Sequence, residues 1–245
     1  MRLVAASLSG QSDAEWARAA SEHVDCAILG GIALDAPSRE AARHLVARDR
    51  EEFLPADPVA FVDEQLSLLS DAPLETGFNV RSSSIEPVRA VGGVCREHGA
   101  ICEINAHCRQ DELREVGCGE TLLRDTDRLC EQVRAAAETG ARVSVKVRAE
   151  VPGVDLVETA RAIEDAGAEV VHVDAMDSEP VIRAVSEASD LFVIANNEVR
   201  GRESVHEYLA HGADAVSVGR PSDDPRVLSR VREAIRAWDA REASA

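Results

Sequence analysis

Eight short apolar runs rich in Val and Ile alternate with segments of helical periodicity, and several of those segments end in a Gly-Ala step. Strand and helix repeated in this way argue for a parallel sheet, and eight units in 245 residues match the size of a closed barrel. The predicted class is therefore α/β, a (β/α)8 TIM barrel.

The strands are expected at Leu3–Ala6, Cys26–Leu29, Gly77–Val80, Ala100–Asn105, Val143–Val147, Val170–Val173, Leu191–Ala195 and Ala215–Val218. Between them, Leu156–Ala166 shows the helical pattern well: Leu156, Ala160 and Ile163 recur three or four residues apart, and charged residues fill the other positions. The steps Gly99-Ala100, Gly140-Ala141, Gly167-Ala168 and Gly212-Ala213 read as helix ends, since glycine adopts the left-handed terminating conformation without steric cost. The first strand is followed by Ser7-Leu8-Ser9-Gly10-Gln11-Ser12, which lacks the Gly-x-Gly-x-x-Gly turn wanted by an open doubly wound sheet. The long connection of about residues 31–74 has helical patterns near Arg39–Arg48 and Pro58–Leu69. It reads as an enlarged loop over the barrel mouth. With no linker or composition break, residues 1–245 are expected to form one domain.

Composition narrows the function. Acidic residues number 45 against 27 basic ones, a net charge of -18, and Lys146 is the only lysine. An acidic, lysine-poor surface suits a halophilic protein working at high salt, where repulsion is screened; biased genome composition is the other reading. The charge disfavours general nucleic-acid binding. No apolar run reaches the roughly 20 residues of a membrane span, and the N-terminus has no secretory pattern. A cytoplasmic protein is expected, without membrane partners. The six cysteines lack zinc-ribbon or ferredoxin spacing and read as free thiols.

Active sites of such barrels lie at the C-terminal ends of the strands. The chain's four asparagines, Asn79, Asn105, Asn196 and Asn197, each close a predicted strand. Lys146 and His172 lie near the ends of strands five and six. In Val143-Ser144-Val145-Lys146-Val147-Arg148 the valines share one face, so Lys146 is expected to point inward, and the same parity turns His172 inward beside Asp174. Together they would make a cationic floor for an electron-rich ring or a phosphate; pairing of Lys146 with Glu103 is the competing arrangement. Gly219-Arg220 follows strand eight, where barrels commonly bind phosphate. After strand four, Cys108 stands between His107 and Arg109, surroundings that lower a thiol pKa. His107, Cys108 and Cys118 lack a fourth partner for a metal, so no metal site is expected, and Cys118 and Cys130 read as packing residues.

The segments Glu-Ile-Asn-x-x-Cys, Gly-x-Gly-x-x-Leu-Leu, Val-Lys-Val-Arg, Val-His, Ala-Asn-x-Glu and Val-Gly-Arg occur in the order and spacing of tRNA-dihydrouridine synthases. The chain resembles that family from about Glu75 to the end of the eighth unit. The resemblance implies an FMN-dependent oxidoreductase that reduces uracil in tRNA, or a related pyrimidine-like substrate, with reduced nicotinamide as electron donor. It implies that Asn79, Lys146 and His172 contact the flavin ring, that Asn196, Gly219 and Arg220 hold its phosphate end, and that Asn105 and Arg109 face the substrate. Cys108 would be the proton donor, making Cys108, Lys146 and His172 the catalytic set. The sequence departs from the family where Gly-Cys-Pro becomes His107-Cys108-Arg109 and where Asn197 replaces a glycine. It is expected to be a shortened relative without the C-terminal tRNA-binding domain. The alternative from the residues alone is a non-redox phosphate-binding lyase or isomerase using Lys146.

Overall fold

The computed structural model describes residues 1–244. Eight parallel strands close in sequence order, with the last pairing to the first. They are β1 (Leu3–Ala5), β2 (Cys26–Ala33), β3 (Glu75–Arg81), β4 (Ile101–Asn105), β5 (Arg142–Arg148), β6 (Val170–Asp174), β7 (Phe192–Asn196) and β8 (Ala215–Val218). The (β/α)8 barrel expected from the sequence is the observed fold. Ahead of β3 come α1 (Ala14–Ala20), α2 (Ala36–Val46) and α3 (Pro58–Ser67), and α4 (Ile85–His98) follows that strand. After β4 come the short α5 (Asp111–Glu115) and α6 (Glu120–Arg124), then α7 (Thr126–Ala137). The outer ring closes with α8 (Leu156–Asp165), α9 (Val181–Ala188), α10 (Arg202–Ala210) and α11 (Pro225–Glu242).

Helix starts and stops follow from the sequence chemistry. The side chains of Asp13, Asp35, Asp57, Asp125, Asp155 and Asp224 accept hydrogen bonds from first-turn backbone N–H groups, so part of the acidic composition caps helices. Gly99, Gly140, Gly167 and Gly212 all have positive φ, the conformation that ends a helix and releases the chain into the next strand.

Two strands run further than their apolar signal. β2 continues from Leu29 to Ala33 and β3 extends at both ends, because the two pair along their whole length around a register shift at Gly30/Ile32. Gly30 and Gly31 interrupt the side-chain alternation, so a pattern based on side chains stops short there. The two helices expected between β2 and β3 form as α2 and α3. Only α2 sits on the mouth, where its Ala41 and Leu45 pack with Cys108, Leu113 and Cys118, and Glu52, beyond α2, forms a buried ion pair with Arg81 at the end of β3. α3 packs in the outer ring, with Val62 and Leu66 in the outer core and Asp63 bonded to His98 of α4.

Strand parity divides the protein into an outer and an inner core. Val143, Val145, Val147, Val171 and Val173 face the helices. Inside the barrel, Val4, Cys26, Ile28, Ile101, Val170, Ile194 and Ala215 fill the N-terminal half. Above this apolar plug the interior turns polar. That change of layer is what positions the site. No described helix is long and apolar enough to cross a membrane.

Candidate active site in the barrel mouth

The polar interior is built around Glu103, which is fully buried on β4. Its Oε1 accepts from Asn79 Nδ2 at 2.7 Å, and its Oε2 receives Ser144 Oγ at 3.2 Å and His172 Nδ1 at 2.8 Å. On the far side of the ring, the Ser217 hydroxyl lies 2.7 Å from His172 Nε2, and its oxygen accepts from Asn196 Nδ2 at 2.6 Å. Five strands besides β4 therefore contribute to one network. Each member occupies an inward position of its strand, as alternation requires.

The network has a definite charge state. Burial would raise Glu103, but the charges of His172 and Lys146 and the hydrogen bonds of His172 and Asn79 bring its pKa down to about 2. Burial, reinforced by Lys146, holds His172 below its ordinary value. At neutral pH the pair is thus carboxylate and neutral imidazole, with Nδ1–H donating to Glu103 and Nε2 accepting from Ser217. The cationic floor expected from Lys146 and His172 is carried by Lys146, because an imidazole sealed from water is not charged by its neighbour's ammonium.

Lys146 pairs in register with Asn105 on one side and His172 on the other. Among the described residues its ammonium makes no hydrogen bond or ion pair within 4.0 Å; Glu103, its expected competitor partner, is taken by His172. Lys146 keeps a small exposure of 4%, Asn105 5% and Cys108 8%, whereas Asn79 and His172 have none. The first three line the mouth, and the last two lie one layer beneath. Asn105 also has a structural duty: its Oδ1 accepts from the backbone N–H of His107 and Cys108, and its Nδ2 donates to Asn79 Oδ1 at 2.8 Å. It clips the Cys108 loop to the barrel wall.

Cys108 differs from the other thiols. Burial pushes it up, but hydrogen bonding to His107 and the positive charge of Arg81 outweigh that and leave it below the ordinary thiol value. Burial drives Cys26 and Cys130 upward, and Cys118 to about 12. His107 Nε2 lies 3.5 Å from Asp174 Oδ2 of β6, which brings a third strand end to the thiol.

Around the rim, Asn196 ends β7 and Gly219 follows β8, with open space where a Cβ would stand. Arg220 begins a short 3-10 turn and is exposed, and in the same turn the Ser222 hydroxyl is buried without a hydrogen-bond partner among the described residues. Arg109 is exposed beside Cys108. Of the other arginines at strand ends, Arg114 pairs with Asp111, Arg148 lies against Glu120 and Arg200 pairs with Glu198.

Sequence reasoning passed over Ser217 and Ser222, which carry no signal of their own, while strand parity turns Ser144 inward with Lys146 without assigning it a role. It treated Glu103 only as a competitor for Lys146. Inward parity in Ile101-Cys102-Glu103-Ile104-Asn105, which places Glu103 on the face of Asn105, was the available clue.

Residues 89–243 match the model of the dihydrouridine synthase (Dus) family. An uncharacterized protein of Methanocaldococcus jannaschii is 26% identical over 231 residues, covering 89% of this chain and 88% of that protein. Among solved structures, a chain of the tryptophan synthase complex of Pyrococcus furiosus aligns with a TM-score of 0.62 at 15% identity, over 96% of this chain and 98% of its own. A FabK variant from Thermotoga maritima gives 0.60 at 17% identity, over 90% of this chain and 61% of that one. At such identities these likenesses concern the barrel alone.

Proposed function

Because this chain belongs to the dihydrouridine synthase family, we propose that it is an FMN-dependent oxidoreductase that reduces a uracil-type ring, with reduced nicotinamide as electron donor. The observation that carries the reading is Lys146: a thinly exposed ammonium without an anionic partner among the described residues, held at the strand ends above a buried carboxylate network. A fixed cation of that kind waits for an anionic or electron-rich ligand.

The residues present fit the cofactor. An unpartnered Ser222 hydroxyl, open space at Gly219 and an exposed Arg220 lie together after β8 and suit a phosphate. Asn196 stands at the end of the neighbouring strand. In this reading Gly219, Arg220 and Asn196 hold the phosphate end and Lys146 meets the ring. Asn79 and His172, sealed below, act by holding the Glu103 carboxylate in place beneath the mouth. FMN, when bound, supplies the hydride. The chain's own residues position the reactants and manage the proton: Cys108 donates from Sγ–H to a ring carbon, Asn105 fixes the loop that carries it, and Arg109 flanks the substrate entrance.

Of the arginines that follow strand ends, Arg114, Arg148 and Arg200 are held against carboxylates, while Arg109 and Arg220 stand exposed. That footprint, on a body of net charge -18, favours a small pyrimidine-type substrate over a long stretch of tRNA.

The test starts with a visible spectrum of the protein reconstituted with excess FMN. Retained flavin absorbance is expected. Lys146→Ala should keep the fold by circular dichroism and weaken flavin retention about 10- to 100-fold, the loss of one charge-assisted hydrogen bond. Lys146→Arg should also be impaired, since a planar fork does not replace a compact ammonium. No flavin retained by wild type overturns the reading and leaves the phosphate-binding barrel. Reduction of free uridine compared with uridine in tRNA then separates the substrates.

A further inference from the structure

The turn that leaves β7 holds a backbone shape its residues do not favour. Asn197 has a φ of 115° and Glu198 a φ of 48°, and Met176, just past the end of β6, has a φ of 53°. A side chain with a Cβ enters this region at a cost in free energy and stays there only where its surroundings over-determine it.

The surroundings do so here. Tyr208, the only tyrosine of the chain, is buried on α10. Its Oη donates to the Asn197 carbonyl at 3.0 Å and lies 3.4 Å from that of Asn196. Asn197 Nδ2 donates to the Met176 carbonyl at 2.7 Å, which ties the β7 turn to the one after β6. The Ala175 N–H donates to the Asn196 carbonyl at 2.9 Å, and Asn196 Nδ2 reaches Ser217 on β8, two residues before Gly219. A helix and both neighbouring strands thus pin the turn.

The pinned turn leaves donors unused. Among the described residues the backbone N–H groups of Asn197 and Glu198 donate to no acceptor. The Glu198 carboxylate, which would repel an anion, is taken by Arg200 at 2.8 Å and 3.3 Å. Arg220, on the far side of β8, has no carboxylate partner among the described residues. Unused N–H groups on a turn fixed in advance suit an anionic oxygen, because the ordering of the turn is not charged to binding.

We propose that Tyr208 and Asn197 are positioning residues of the phosphate end of the site. The phenol and the amide hold the β7 turn in its positive-φ shape, so that a phosphate meets preset N–H groups beside Asn196, Gly219 and Arg220. Neither side chain touches the reacting atoms. The proposal takes its ligand from the FMN reading but concerns only the phosphate, so the two fail separately.

The test titrates FMN and riboflavin, which has the same ring and no phosphate, into the flavin-free full chain and follows fluorescence quenching. Wild type should bind FMN about tenfold or more tightly than riboflavin. Tyr208→Phe removes only the phenol oxygen. It should weaken FMN about 3- to 10-fold and leave riboflavin within about twofold. Equal weakening of both flavins would mark a general structural role and overturn the proposal, as would unchanged FMN binding or a wild type that does not prefer FMN. In the Asn197→Gly background the turn reaches its φ without strain, so there Tyr208→Phe should cost FMN less than about twofold. An undiminished cost in that background also overturns it. Circular dichroism confirms the fold of each variant. Should wild type take neither flavin, the cofactor reading falls by itself and inorganic phosphate decides the clamp. Phosphate should then raise the melting temperature of wild type, and that of Tyr208→Phe by less. Equal rises, or none in wild type, overturn the clamp.

Discussion

Glu103 has both carboxylate oxygens engaged inside the barrel, by Asn79 on one and by His172 and Ser144 on the other. Replacing it by Gln leaves one acceptor oxygen where two are needed, so a buried donor is left facing the new amide N–H2, and a buried polar group without a partner costs about 1–3 kcal/mol. Urea denaturation of Glu103→Gln should show a loss of that order; a loss below about 1 kcal/mol would mean that the carboxylate does not anchor the floor. The acid dependence follows from the same residues. His172 is depressed below 6.5, so the unfolded chain binds its proton first and stability begins to fall as pH drops below that value. Glu103 sits at about 2 in the fold against 4.5 unfolded, so its contribution is complete above 4.5 and is lost as pH falls toward 2. That second contribution is about 3 kcal/mol. Midpoints measured from neutral pH to about pH 3 should decline throughout in wild type and lose the lower part of the decline in Glu103→Gln.

The packing of α4 on α7 turns on two adjacent glycines with opposite surroundings. A Cβ on Gly92 would meet Ala136 Cα and Thr139 Oγ1 at 3.1 Å, whereas a Cβ on Gly93 meets nothing within 4 Å. Gly93→Ala should therefore stabilise the protein by about 0.5–1 kcal/mol through helix propensity. Gly92→Ala should destabilise it by about 1–3 kcal/mol by separating the helices. Thermal melts of the two variants should move in opposite directions, and movement in the same direction would contradict this account of the interface. The start of α6 carries a stricter demand. Gly119 has a φ of 58° and a Cβ there would overlap the Cys108 carbonyl, so the residue that opens α6 also sets how closely the thiol-bearing loop approaches the mouth.

At the scale of the whole molecule the acidic excess is divided between structure and surface. Aspartates cap helices and Glu103 and Glu52 are buried in pairs, but a net charge of -18 remains on the protein. Exposed pairs such as Arg18–Asp71, Arg89–Glu138 and Arg200–Glu198 are worth little and weaken in salt, whereas repulsion across the surface is relieved by it. Between about 0.1 M and about 1 M KCl the screening length falls from ~10 Å to ~3 Å. Tm should rise by several degrees over that range. A flat or falling Tm would show that attractive pairs outweigh the repulsion.

The strand count, the inward turn of Lys146 and His172, and the left-handed glycines after α4, α7, α8 and α10 were legible in the amino-acid order. These depend on periods of two and 3.6 residues and on single-residue conformational limits, all local to the chain. The motifs around Asn105, Lys146, His172 and Gly219 likewise carried the family. The partner chosen by Glu103 was decided by the barrel. Its register brings β4, β5 and β6 side by side and lets His172, not Lys146, reach the carboxylate. The neutrality of His172, the burial of Arg81 with Glu52, the pairing of three mouth arginines and the clip from Asn105 to the Cys108 loop are of the same kind. Each joins residues from different strands or loops. Such neighbours exist only once the sheet has closed and its burial has set the cost of every charge inside it.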